Sequence, residues 1–316
     1  MAADDPTAAG DHRVSPDVRR ALRAGDPVVA LESALITHGL PRPENLLVAR
    51  QLEAIVAAEG GRPATIAVLR GEIAIGLTDV ELETLAGLPS SWKIGIRDFA
   101  AASLREASGG TTVAATMFAA HNAGIDVLAT GGIGGVHRGS PFDVSADLEA
   151  LRRMPMIVVS AGAKAILDLR ATLEWLETAS VPVIGYGTTE FPAFYSRASG
   201  LQTSIRVDAP EEVAELWERH SALGMTSSLL VANPIPEAEA VPSAEVERLI
   251  AAASSEAAQQ NISGQALTPF LLRRLGEMSE GRLRQANVAL LRNNAELAAR
   301  IASAVVKRRG ARKAEK

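Results

Sequence analysis

The sequence predicts an α/β protein, a three-layer α/β/α arrangement around a central, mostly parallel mixed sheet. Three observations carry that expectation. Short apolar runs at Val127 to Thr130 and Met156 to Ser160 are partly β-branched and followed by glycine, as strands buried on both faces of a parallel sheet are. Segments with helical capping signals and length separate such runs along the chain. In "TIAVLRGEIAIGL", two apolar runs flank Arg70-Gly71 and read as a hairpin, which breaks strict βα alternation and makes the sheet mixed.

Taken in order, residues 1–13 are expected to be a disordered tail. Ser15-Pro16-Asp17 then opens a helix with an N-cap, a first-turn proline and an early acid, and Gly25 closes it. "VVALES" is a strand that delivers Glu32 at its carboxyl end. The polar loop "ALITHGLPRPEN" leads to a helix from about Glu44 to Glu59. After the hairpin come a short acidic helix over Thr78 to Ala86, "SWKIGIRDFAAA" with Lys93 beside a brief apolar pair, and "SGGTTVAATMFAAHNAG", a glycine-led helix entry. Free amides, threonine hydroxyls and the helix dipole favour an anion at that entry; plain capping by Thr111 is the simpler alternative. Later helices are expected over Leu167 to Thr178, Pro210 to Leu223 and Leu283 to Arg308, with strands in "PVIGYG" and "SSLLVANPIPE". A single domain is expected over 14–308, followed by a basic C-terminal tail, 309–316.

Composition narrows the function. With 316 residues and 47% hydrophobic content the chain can bury a large core, and it has no run of eighteen uncharged apolar residues. With no basic and apolar leader at its start, it is expected to be cytoplasmic. The absence of cysteine excludes disulfides, zinc-thiolate sites and a thiol nucleophile, so a metal would have oxygen or imidazole ligands. A net charge of −5 argues against a nucleic-acid polymer as partner, and 3% aromatic content argues against a base-stacking platform. One small polar ligand fits better.

The stretch from Asp126 to Lys164 organises the rest. Its first apolar run stops at four glycines in five residues, Gly131 to Gly135, then come His137 and Arg138, the acids Asp143 and Asp147, and a second run ending in Lys164. Strand ends in open α/β sheets face the crevice where ligands bind. Glycine there lets a backbone approach a phosphate or sugar.

Together, "VALESALITHGLPRPENL", "GGTTVAATM", "ATGGIGGVHRG", "FDVSADL", "VSAGAK", "VIGYGTTEFPAFY", "NPIPE" and "TPFLL" resemble the pseudouridine-5′-phosphate glycosidase family, which includes the indigoidine synthase A-like proteins. The resemblance runs from about Val28 to Ala299. It implies an α/β/α enzyme, a homotrimer with one divalent cation (Mn2+) per subunit, that reversibly converts pseudouridine 5′-phosphate and water to uracil and ribose 5-phosphate. It further implies Lys164 as covalent nucleophile, Glu32 as proton donor and Asp143 as metal ligand. Lys93, Val113, Ser145, Ala146, Asp147 and Asn287 would contact substrate, and Thr130 and His137 lie in the matched glycine-rich motif.

The chemistry agrees with those roles. A C–C glycosidic bond offers no heteroatom leaving group, so two carboxylates do not suffice. An amine that forms an imine at C1′ supplies the missing electron sink. Two departures from the family pattern concern the edge of the site: Gly95-Ile96-Arg97-Asp98 stands where Ser-Arg-Arg-Asp is common, and Gln265 where lysine is frequent. An imine-forming lyase acting on another phosphorylated sugar and a non-catalytic sugar-phosphate-binding protein remain open alternatives. A sugar kinase is disfavoured because the chain has no P-loop.

Overall fold

The computed structural model describes residues 12–262 and 267–314. Its strands are β1 (His12–Val14), β2 (Val28–Leu31), β3 (Arg62–Leu69), β4 (Glu72–Ile75), β5 (Trp92–Ile94), β6 (Gly109–Thr111), β7 (Val127–Ala129), β8 (Val136–His137), β9 (Ser140–Val144), β10 (Ile157–Ser160), β11 (Leu167–Asp168), β12 (Val183–Tyr186), β13 (Ile205–Val207) and β14 (Leu229–Ala232). Its α-helices are α1 (Pro16–Ala24), α2 (Glu44–Ala58), α3 (Asp79–Gly87), α4 (Phe99–Leu104), α5 (Val113–Asn122), α6 (Ala146–Arg153), α7 (Leu169–Thr178), α8 (Pro210–Ala222), α9 (Ser243–Gln259), α10 (Leu267–Met278) and α11 (Arg282–Ala314).

Local chemistry explains the boundaries. Ser15 Oγ accepts from the Val18 amide at 3.4 Å to start α1, and Gly25 ends it with φ of 74°. The β3–β4 hairpin turns at Arg70 and Gly71, both at positive φ, as a two-residue hairpin turn requires. Thr78 and Glu81 cap α3 reciprocally.

Among the described residues the main sheet has the order β1-β4-β3-β2-β7-β10-β14-β12-β13, with β6 on β3 and β5 on β6. From β3 to β13 the neighbours are parallel; the antiparallel excursion is β4, with β6 also antiparallel to β3. The expected mixed, mostly parallel α/β/α architecture is thus what the chain adopts. Strands β2, β7, β10 and β14 are buried throughout, and α11 packs on β7, β10 and β2 beside α2 and α8. Helix α11 contributes buried Leu283, Leu290, Leu291 and Ile301, each worth about 2 kcal/mol of apolar burial.

Several local expectations need correction. His12 and Arg13 are not part of a disordered tail: β1 pairs with β4, and Arg13 bonds Glu72 at 3.1 Å and Glu81 at 2.6 Å. Residues 1–11 lie outside the described residues. The basic segment at 309–316 is helical as far as Ala314, and along it Arg309 pairs with Asp126 at 2.6 Å and Arg312 with Glu218 at 3.1 Å. The loop after Glu32 holds a π-helical turn, Leu35–Gly39, closed by the Leu40 amide on the Leu35 carbonyl. A separate three-stranded sheet, β11-β8-β9, was not legible, since its strands are two to five residues long.

Candidate active site

Glu32 follows β2, Thr130 follows β7, and Lys164 follows β10 by four residues, so three adjacent strands deliver them to one end of the sheet. Glu32 is buried and accepts a short hydrogen bond from the Thr130 hydroxyl. Burial pushes the Glu32 carboxyl above its ordinary range. The Lys164 charge, the Thr130 bond and the Lys93 charge act against that rise, and the Asp147 charge adds to it. Lys93 on β5 keeps its side chain exposed, yet desolvation and the neighbouring Lys164 charge lower its pKa against the pull of Glu32 and Asp147. These four ionisable groups form one electrostatic cluster: Glu32 and Lys164 come from the ends of β2 and β10, Lys93 from β5, and Asp147 from the start of α6.

The residue after Glu32 fixes its backbone. Ser33 Oγ donates to the Ile66 carbonyl at 2.5 Å and accepts from the Thr111 amide at 3.0 Å, tying the end of β2 to β3 and β6. A side chain at Gly110 would overlap the Ser33 carbonyl, so glycine is required there.

Asp147 is buried at the start of α6. Its Oδ1 accepts from the Ala114 amide at 2.9 Å and its Oδ2 from the Gly134 amide at 2.7 Å. The protein's own carboxylate thus occupies one amide of the α5 entry, that of Ala114. The cap of that helix is Thr112, which accepts from the Ala115 amide, while Thr111 is buried and donates to Ile66. Val113, fully buried, is the first residue of α5, and Ser145 caps α6, accepting from the Asp147 amide at 3.2 Å; Ala146, the next residue, is exposed.

The glycine-rich segment serves packing more than it opens space for a ligand. At Gly134 a Cβ would overlap Ser145 Oγ, and at Gly135 it would overlap Thr172 Oγ1. Asn287 on α11 faces Gly131, with Oδ1 3.5 Å from where a Cβ would stand. Arg138 anchors the segment after Lys164: it donates to Glu247 at 2.6 and 2.8 Å and to the carbonyls of Leu167 and Ala165.

His137 on β8 and Asp143 on β9 lie on the second sheet, with His137 Nδ1 3.8 Å from Asp143 Oδ2. The Asp143 carboxylate is half exposed, at 51%. Among the described residues no three His, Asp or Glu side chains converge as a ready-made cage. A hard divalent ion that keeps most of its waters needs only one or two carboxylates, and an open Asp143 fits that mode.

Two features escaped sequence reasoning. Asn294, fully buried on α11, donates to the carbonyls of Thr130 at 2.8 Å and Gly131 at 3.3 Å, and accepts from Asn233 Nδ2 at 3.0 Å. Asparagine is a poor helix former, so the pair in "LRNNAEL" was the available signal. His38, in the π-helical turn, is the other: burial and the Lys93 charge lower its pKa, and its Nδ1 lies 2.7 Å from Thr37 Oγ1. Gln265 lies outside the described residues. Gly95 and Ile96 are half-buried, and Asp98 accepts from the Gly95 amide at 2.8 Å, so the departing segment is a capped turn.

A buried carboxylate set against two lysines at the carboxyl edge of a parallel sheet defines an enzyme site of the acid–base and amine-nucleophile kind. The chain belongs to the indigoidine synthase A-like family, whose profile, "Indigoidine synthase A like protein", matches residues 17–304. It is 52% identical to the pseudouridine-5′-phosphate glycosidase of Solibacter usitatus over 92% of this chain and 98% of that one. It is also 52% identical to that of Methylobacterium nodulans, over 94% and 88%. Among solved structures, an indigoidine synthase A-like protein from Thermotoga maritima superposes with a TM-score of 0.86 at 37% identity, covering 94% of this chain and 98% of that one. The prealnumycin C-glycosynthase AlnA, solved in complex with ribulose 5-phosphate, superposes with a TM-score of 0.87 at 39% identity, covering 96% and 98%.

Proposed function

We propose that this enzyme is a pseudouridine-5′-phosphate glycosidase, reversibly converting pseudouridine 5′-phosphate and water to uracil and ribose 5-phosphate. The observation that carries the reading is the cluster of buried Glu32 with Lys164 and Lys93, in a chain about half identical to glycosidases of that name over nearly its full length.

In the cleavage direction the neutral Lys164 amine bonds to C1′ as the C1′–O4′ bond breaks, and the proton shed by the attacking nitrogen passes to O4′. Glu32 then protonates C5 of the base. The C1′–C5 electron pair goes to C5 with that proton, and the nitrogen lone pair forms the C1′ imine. Water adds to the imine, ribose 5-phosphate and the free amine are released, and the proton that water gives up returns to the Glu32 carboxylate. Burial raises the Glu32 pKa toward what an acid needs near neutral pH. In this reading Lys93, Val113, Thr130, His137, Ser145, Ala146, Asp147 and Asn287 contact the substrate; Thr130 also bonds Glu32, and Asp147 also holds the amides at the entry of α5 and in the glycine-rich turn.

Asp143, with water, would hold the divalent cation, Mn2+ in this reading, which when bound orders water and offsets phosphate charge. Assembly as a homotrimer in the cytoplasm belongs to the same proposal. Among the described residues no helix is long and apolar enough to cross a membrane.

A second reading runs the C–C chemistry in the bond-forming direction on another acceptor, as the name of AlnA describes for that protein. The identities, 52% to the glycosidases against 39% to AlnA, favour the first. Incubation with pseudouridine 5′-phosphate and Mn2+ should release uracil. Borohydride should then trap a pentose phosphate adduct that peptide mapping assigns to Lys164. Absence of both products, with ribose 5-phosphate and uracil also inert, would reject the reading.

A further inference from the structure

Ser160 closes β10, four residues before Lys164. Its side chain is fully buried and, among the described residues, its hydroxyl has no hydrogen-bond partner. The rest of the strand, Ile157, Val158 and Val159, is apolar, and a buried unpaired hydroxyl destabilises the fold. Alanine would suit the sheet better, so the hydroxyl calls for another explanation.

Register shows where it stands. Leu31 lies opposite Ala129 and Ala129 opposite Val159, so the next step along the three strands aligns Glu32, Thr130 and Ser160. In a parallel sheet, residues in register share a face and successive residues alternate. Gly131 turns toward α11, where a Cβ would meet Leu290 and Leu291, so Thr130 turns to the opposite face, and Glu32 and Ser160 with it. Thr130 spends its one O–H on Glu32, which leaves its oxygen able to accept. Ser160 is one strand spacing away, about 4.8 Å.

We propose that Ser160 is a positioning residue of the active site, whose hydroxyl turns to donate to Thr130 Oγ1 during turnover and so keeps the Thr130 proton on Glu32. The inference rests on the glycosidase reading above. A two-bond chain is stronger than its separate links, so Ser160 steadies the carboxylate through Thr130. The charged groups facing Glu32 are Lys164 after β10, Lys93 on β5 and Asp147 on α6.

The test compares wild type, Ser160→Ala and Ser160→Thr for uracil release across pH, with Tm measured alongside. Ser160→Ala should keep KM and hold or raise Tm, while kcat falls on the order of tenfold. Loosening the Thr130 bond lets the Glu32 pKa rise, so the fall in cleavage on raising the pH should move to higher pH. Ser160→Thr, which keeps a hydroxyl, should restore kcat and the profile. If wild type is active and Ser160→Ala matches its kcat and pH profile, the inference is overturned while the glycosidase reading stands. A lower Tm with lost activity that Ser160→Thr does not restore also overturns it, since the hydroxyl would then serve only the fold. Wild type that releases no uracil sinks the glycosidase reading and the inference with it.

Discussion

The carboxylate of Asp147 accepts the backbone amide of Ala114 at 2.9 Å, joining the start of α6 to the start of α5 across 33 residues of sequence. Its second oxygen holds the Gly134 amide, so one side chain sets the spacing of both helix entries and the glycine-rich turn. Asp147→Asn keeps the shape but turns one acceptor into a donor facing an amide. It should cost about 1–3 kcal/mol in urea denaturation and lower kcat more than it raises KM. An unchanged denaturation midpoint would show that these bonds do not hold the turn.

Glu32→Gln should stabilise the protein at neutral pH while abolishing uracil release. The sign follows from burial. A carboxyl whose pKa is raised above its ordinary 4.5 in the folded state favours folding when protonated, and that contribution is lost as the pH climbs from 4.5 through the folded value. Glutamine has no such loss, so the Tm of the variant should exceed that of wild type at neutral pH and the gap should close in acid. A gap that stays constant with pH would contradict the assignment.

Much of this was legible in the sequence because strand ends advertise themselves. Glu32, Thr130 and Lys164 each follow a short apolar run, and the structure sets those runs side by side. Spacing could not reveal that Asp147 would point back at backbone amides, because a helix-start acid near a glycine turn reads equally well as a ligand contact. The capping residue was off by one, Thr112 in place of Thr111, because β6 pairs with β3 and draws Thr111 into the sheet. Long-range pairings also decided the chain ends. Arg13 and Arg309 look like solvated tail charges until Glu81 and Asp126 are placed beside them.

Asn294→Leu should be among the most damaging changes outside the ionisable cluster. It removes a donor to the Thr130 and Gly131 carbonyls and an acceptor for Asn233. A loss of about 2–4 kcal/mol is expected, read as a fall in Tm, with kcat reduced in the folded fraction because Thr130 is no longer held against Glu32. A variant as stable as wild type would show that leucine packs there without penalty.

Asp143→Asn should leave stability within about 0.5 kcal/mol of wild type, since the carboxylate is half exposed. Activity should require more manganese, and chelation followed by Mn2+ titration measures the shift. An unaltered titration curve would move the cation elsewhere.

Helix α11 reaches back from the far end of the chain to clasp the bend that carries Thr130, whereas Glu32 is made almost at the outset. Nascent polypeptide emerging from the ribosome should therefore stay catalytically silent until α11 has been translated. Splitting the gene just upstream of α11 should give two inert fragments, with turnover returning only on their reunion.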